Sequence, residues 1–458
     1  MRTAWATALM AVTGTVAAAD GQTIAIEHAT VLSMTTRSAV LRDMTVVIDN
    51  GRIRTIAASA ASTLPPGARR IDGRGKFLLP ALMDMHVHIE ARDNGRVGGA
   101  GSTDVKIATA DVLLPYVANG VLQVFNLSAT PDSMRQRDQV ASGAVLGPHI
   151  ALAHLLDGDP PDRPGSTMAA SPAEGLRLVA QIDAAGYDAL KTYSNLSEAT
   201  FTAMVAEARR RELRVVGHIP ERNRDRTEHL LVPGFGMIAH AEELGYQASM
   251  VSLEQIPRYI RLLRERGTWL TTTVKLNERV VELTRSSASL HSRPEMRYVH
   301  PVTLTRWQQR NQYIATAQHL QRRENIVRFN RALIAAMVAA DLPFVVGTDS
   351  LVTGNVPGFA LHDELEALVA AGAPSDLVLW SATQRPARWL GVLGDRGTVE
   401  VGKRADLLLL DADPWQSIVN TRRIAAVLVS GRYLSRADLD TMLDDLARRY
   451  RGDNDHDH

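Results

Sequence analysis

The sequence predicts an α/β fold, a (β/α)8 TIM-like barrel carrying a small β-sandwich domain assembled from both ends of the chain. Three observations carry this. The middle of the chain alternates short apolar runs with helical patterns, in eight units. The two ends are both strand-rich and share one texture. The 458 residues exceed one small domain but suffice for a large core and a satellite.

Residues 1–19 read as a cleaved signal peptide. Arg2 supplies the positive start, 4–16 a mostly apolar core, and Ala17 and Ala19 the small residues of a cleavage site. That core is shorter than the roughly 20 residues a bilayer span requires. The expectation is a secreted, periplasmic protein with no membrane span.

The small β domain is expected from 20–76 plus 393–435. A strand at 23–32 precedes a hairpin, 44–48 and 52–56, turning at Asp49-Asn50-Gly51. Leu64-Pro65-Pro66-Gly67 then breaks the chain. At the far end, 405–411 reads as a buried strand and 425–432 as another hairpin, with Ser430-Gly431 at its turn. Residues 436–458 are expected to be a C-terminal helix and a disordered tail.

The barrel is expected from 77–392. Its strands fall at 77–88, 121–127, 149–155, 188–193, 214–219, 236–240, 269–273 and 343–349, with helical patterns such as 197–211 and 253–266 between them. The stretch 275–341 exceeds an ordinary connection. Its part 301–340 reads as helix. It leaves the C-terminal face, which suits a cover over a site and equally a structural extra helix.

The formal net charge of +1 offers no bulk attraction to nucleic acid or an anionic membrane. Arg209-Arg210-Arg211, flanked by Glu207 and Glu212, reads as a solvated helix face. Cysteine is absent, so disulfides and thiolate ligands are excluded. Any metal must be held by nitrogen and oxygen.

Candidate ligands close the predicted strands. His86 and His88 end the first, two residues apart, which puts both imidazoles on one side. Lys191 ends the fourth. An inward lysine there is a salt-bridge partner, or it reacts with carbon dioxide to give an anionic, two-oxygen carbamate. His218, His240 and Asp349 end the fifth, sixth and eighth strands. Each alone also fits a hydrogen-bonded core residue or a turn residue. Together, six ligand-type residues mark the C-terminal face, where barrel enzymes place their sites. This set suits zinc, and also manganese, nickel or iron.

The run Gly73-Arg-Gly-Lys-Phe-Leu-Leu-Pro80, leading into Asp84-Met-His-Val-His88, resembles the amidohydrolase superfamily in its binuclear, carboxylated-lysine branch. So do Ser381-Ala-Thr-Gln-Arg-Pro-Ala-Arg-Trp-Leu-Gly391 and Gly397-Thr-Val-Glu-Val-Gly-Lys-Arg-Ala-Asp406. The segments around Lys191, His240-Ala-Glu-Glu-Leu244 and Leu361-His-Asp-Glu-Leu365 are similar to prolidase-like bacterial members, Xaa-amino-acid dipeptidases and N-acyl-amino-acid hydrolases. The resemblance covers roughly residues 22–435. Two departures stand out: Ala81 where a glycine is usual, and a short Pro-rich segment, Asp159-Pro-Pro-Asp-Arg-Pro-Gly165. Neither touches a ligand, but the second separates this chain's substrate reading from that of known members.

The resemblance implies that His86, His88 and Asp349 hold one divalent ion, that His218 and His240 hold another, and that carboxylated Lys191 bridges them. Zinc is the expected metal. It further implies hydrolysis of a peptide-like amide in a small molecule by a metal-bridging hydroxide, with Asp349 as the catalytic proton carrier. His154, Tyr193, Arg222 and His362 are the substrate-binding candidates, each with an equally good structural reading. The alternatives are a mononuclear deaminase or cyclic-amide hydrolase, and a non-catalytic binding barrel. Relatives suggest a homo-oligomer, but no interface is readable.

Overall fold

The computed structural model describes residues 23–91, 93, 105–163, 166–221, 226–247, 250–290, 292–309 and 317–452. The expected signal peptide, Arg222 and the 453–458 tail lie outside the described residues.

Five strands open the chain: β1 (Ile24–Leu32), β2 (Val40–Asp49), β3 (Arg52–Ala58), β4 (Arg69–Asp72) and β5 (Phe77–Pro80). They form one eight-stranded sheet with β15 (Leu407–Leu410), β16 (Ile424–Val429) and β17 (Arg432–Ser435) from the far end. Asn50 and Gly51, at φ 48° and 70°, make the doubly left-handed turn that a two-residue hairpin requires, and Ser430 and Gly431, at φ 49° and 77°, make the second. Ile24, Val46, Ile53, Leu78, Leu407 and Ala426 close over a core of their own.

The expected first barrel strand, 77–88, divides in two. Phe77–Pro80 pairs antiparallel with β15 and so belongs to the small sheet. Leu78 points into that sheet's core, while Leu79 joins the main core. One apolar run therefore serves two sheets, which periodicity alone does not separate.

The barrel strands are β6 (Leu82–Val87), β7 (Val121–Asn126), β8 (His149–Asp157) with the two-residue β9 (Thr167–Met168) beside it, β10 (Ala189–Thr192), β11 (Arg214–Gly217), β12 (Met237–Ala239), β13 (Trp269–Thr271) and β14 (Phe344–Val345). All pair in parallel in the order β6-β7-β8-β10-β11-β12-β13-β14. The ring closes where Met85 N donates to Val346 O at 2.9 Å and Asp349 N donates to His86 O at 2.8 Å. Phe125, Ala151, Ala153, Ala189, Val216 and Met237 fill the interior as an apolar plug. Trp389 caps it, its ring 5.6 Å from that of Phe125.

Within 275–341 the chain forms several helices, among them Val274–Arg285, Pro301–Gln309 and Ala317–Ala339. The stretch expected to be helical at 301–340 is helical over its described parts, Pro301–Gln309 and Ala317–Ala339. Leu283, Leu290, Met296, Val299 and Trp307 pack with Val356, just beyond the last strand. Arg306 is ion-paired with Glu90, just beyond the first. The insertion therefore lies over the C-terminal face. No helix among the described residues is long and apolar enough to cross a membrane.

Candidate active site

The six predicted ligand residues converge at the C-terminal mouth. Asp349 Oδ1 lies 2.8 Å from His88 Nε2 and 3.2 Å from His86 Nε2. The rings of His86 and His240 are 4.4 Å apart, and those of His218 and His240 5.1 Å. One ligand atom from each of His86, His240 and Asp349 lies within 4.8 Å of the other two. Lys191 is fully buried and its Nζ finds no hydrogen-bond partner among the described residues.

Backbone geometry aims these groups. Met237 and Ala239 point into the barrel. Strict alternation would therefore turn His240 outward. A left-handed φ of 91° brings it back to the mouth. Thr273 and Asp349 are also left-handed, at φ 43° and 57°. Such conformations in non-glycine residues cost energy and persist where the surroundings over-determine them. At β12 the left-handed residue follows the last ladder residue directly, so the strand stops at Ala239, short of the predicted 240. Gly347 is required here, since a Cβ would sit 2.8 Å from the Cβ of His86.

Neighbouring side chains orient the imidazoles. Ser128 Oγ lies 2.7 Å from His88 Nδ1, Ser194 Oγ 3.0 Å from His218 Nδ1, and Thr273 Oγ1 3.1 Å from His240 Nδ1. Each hydroxyl engages Nδ1 and leaves Nε2 to act. Glu364 is buried and holds the turn that carries Thr273. It accepts from Thr272 Oγ1 at 2.6 Å, Val274 N at 2.8 Å and Lys275 N at 2.6 Å. Asp84 accepts from His86 N at 3.2 Å, Thr348 N at 3.1 Å and Thr348 Oγ1 at 2.7 Å, locking the first strand to the last. Glu243 receives Ile219 N at 3.1 Å and lies 3.5 Å from His218 Nδ1.

Electrostatics favour the ligand forms. Burial holds His86 and His218 well below the ordinary imidazole value and brings His240 to about 3, so all three are neutral at physiological pH. Burial lowers Lys191 to about 7, giving a substantial fraction of free amine. Burial would raise Asp349, but His88, His240 and Lys191 outweigh it and hold the carboxyl low. Four imidazoles, a carboxylate and a buried amine without a hydrogen-bond partner fit divalent metal better than an empty polar pocket, in which such groups would be stranded.

Tyr193 reaches this centre, its ring stacked on His218 at 4.1 Å. His154 does not. Its neighbours on β8 show why: Ala153 faces inward, so His154 faces the helix layer, where Thr167 Oγ1 lies 3.0 Å away and the Tyr187 ring 5.0 Å. His362 is likewise remote, buried with Nε2 donating to Asn119 O at 3.1 Å and Nδ1 2.9 Å from Thr421 Oγ1. It is a core histidine, not a substrate contact. Arg226, in the same loop as Arg222, pairs with Glu198 at 3.0 Å. Glu243, Glu364, Ser128 and Thr273 were not foreseen, because their roles depend on strand ends that are distant in sequence. Asp84 was foreseeable in part, since it extends the alternating Asp84-x-His86-x-His88 run.

The placement of His362 predicts that His362→Ala destabilises the protein by about 2–4 kcal/mol in denaturant melts, with kcat and metal content unchanged. Burial lowers its folded value to about 3 from an ordinary 6.5. Between these the unfolded chain binds more protons, so stability falls as pH drops through that window. Removing His362 should flatten that slope.

A parallel barrel with nitrogen and oxygen groups of metal-ligand type at its C-terminal mouth has the layout in which barrel enzymes place their active sites. The amidohydrolase family model matches residues 77–434, and this chain belongs to that family, as a hydrolase acting on carbon–nitrogen bonds. A candidate prolidase from Bifidobacterium longum is 26% identical, with TM-score 0.68, over 93% of this chain and 99% of that one. A Xaa-Pro dipeptidase with methionine bound in its active site shares the fold at TM-score 0.69 and 19% identity, over 90% of this chain and 100% of that one. A 5-methylthioadenosine/S-adenosylhomocysteine deaminase of Moorella thermoacetica is 34% identical over 87 residues, 18% of this chain and 20% of that protein's length.

Proposed function

We propose that this protein hydrolyses the amide bond of a dipeptide or N-acyl amino acid at a site for two divalent cations, of which zinc is the preferred choice. The observation that carries this reading is Lys191: a buried amine with no hydrogen-bond partner among the described residues, set among four imidazoles and a carboxylate. His86, His88 and Asp349 would hold one ion and His218 and His240 the other, with Lys191 between them. The ions would supply Lewis-acid polarisation of the scissile carbonyl and a more acidic water.

The chain's own residues do the rest. The neutral Lys191 amine adds to carbon dioxide through Nζ and loses one proton, becoming a carbamate whose two oxygens can serve two ions. Asp349, ionised and buried, takes the proton of the attacking water and passes it to the leaving nitrogen. Burial raises the Tyr193 phenol, which therefore stays protonated and can donate a hydrogen bond to substrate. The insertion over the mouth limits access of bulk water.

The test is release of free amino acid from a panel of dipeptides and N-acyl amino acids by the zinc-loaded protein. Turnover of some members supports the assignment. The short match to a deaminase favours a second reading, hydrolytic release of ammonia from a purine nucleoside. Ammonia from 5-methylthioadenosine, with no cleavage anywhere in the amide panel, would replace the first reading by the second.

A further inference from the structure

The described part of the Pro-rich segment after β8, residues 158–163, is tied down by hydrogen bonds. Asp157, the last residue of β8, is fully buried. Its Oδ1 accepts from Gly158 N at 2.8 Å and Asn195 N at 3.0 Å. Its Oδ2 accepts from Asp162 N at 2.7 Å and Arg163 N at 3.3 Å. Asn195 Nδ2 returns a bond to Pro160 O at 3.0 Å. A Cβ on Gly158 would fall 1.8 Å from Asn195 O, so only glycine lets the two loops approach this closely. One carboxylate with four backbone donors thus ties the segment to the loop after β10, the strand that carries Lys191.

This frame delivers Arg163 to a cleft of about 690 Å³. Ile89, Ser128, Thr130 and Gln136 line the same cleft. It opens beside the metal-ligand cluster, because Ser128 is the residue that holds His88. The acids lining it are already engaged, Glu90 by Arg306 and Asp132 by Arg135. Arg163 is the cation in that lining, half-buried, and no ion pair to it is found among the described residues. A guanidinium without a protein anion, held at a fixed place beside a hydrolytic centre, suits a planar anionic group of the substrate.

We propose that Arg163 is the specificity residue that receives the free carboxylate of the substrate, so that the protein selects amides whose amine half is an α-amino acid. This rests on the hydrolase reading given above. The peptide-like substrate would lie with its scissile bond at Asp349 and its carboxylate on the β8 loop.

The test compares wild type, Arg163→Ala and Arg163→Lys, all zinc-loaded. Alanyl-leucine and alanyl-leucinamide are the turnover probes, and L-leucine and L-leucinamide the binding probes, read by calorimetry. The wild type should prefer each carboxylate form. Arg163→Ala should raise KM for the dipeptide about 30-fold with kcat within a few-fold, and weaken leucine binding about equally. The amide forms should be unaffected, and Arg163→Lys should recover part of the loss. Equal effects on acid and amide, or none on either, would overturn the assignment. Calorimetry separates the two levels of inference. Carboxylate-selective, Arg163-dependent binding without turnover sinks the hydrolytic reading and keeps the receptor. Turnover without carboxylate selectivity does the reverse.

Discussion

Lys191→Met should reduce bound metal from near two equivalents per chain to one or fewer, and turnover by about 10³-fold or more. Methionine keeps most of the volume but offers neither an amine nor a carbamate. The loss should not come from unfolding. A buried amine with no hydrogen-bond partner among the described residues is a liability in the metal-free protein, so its removal should leave the metal-free melting temperature equal or higher. Burial, then Glu221 and Glu242, raise the Glu243 carboxyl well above its ordinary range, which lessens the charge left behind when Lys191 is removed. Elemental analysis of protein purified with bicarbonate, with melts of the metal-free forms, reads both halves. One equivalent in the wild type, unchanged in K191M, would remove the bridged site and direct attention to deaminase-type chemistry.

Asp349→Asn should lower kcat by about 10⁴-fold, because the amide neither takes a proton nor binds metal as a carboxylate does. The near-isosteric change should preserve the strand end, whose backbone is held by Asp349 N donating to His86 O and by Thr348 on Asp84. A pH signature accompanies it. The folded Asp349 carboxyl lies below its unfolded value of 3.8, so its contribution to the metal-free protein is present above that value and lost as pH falls through the folded one. The stability gap between wild type and D349N should therefore be widest at neutral pH and close on acidification. Retention of kcat within tenfold would show that another group carries the proton.

Much of the candidate site is legible in the chain because barrel geometry converts position along a strand into position at the mouth. His86, His88, Lys191, His218 and Asp349 each close a short apolar run, and the C-terminal ends of parallel strands meet in one place. His240 belongs with them, yet simple alternation would have turned it away; its left-handed backbone places it. His154 and His362, for which the sequence leaves a substrate contact and a structural role equally open, show the opposite limit. Each is local in sequence to a strand end or a helix start, but its direction depends on which face packs against which layer.

What the sequence by itself determined is the alternation of strand and helix, the two end segments that pair into one sheet, and the chemical character of the ligand set, since cysteine is absent and histidine, lysine and aspartate close the strands. Tertiary structure alone decided that Phe77–Pro80 leaves the barrel for the small sheet, that Glu364 braces the turn bearing Thr273, and that Asp157 carries Arg163 to the cleft. The physical reason is separation. Periodicity and strand-end chemistry are local and are written in neighbouring residues. Hydrogen bonds that join residues 92 or 38 positions apart arise only once eight strands have closed into a ring.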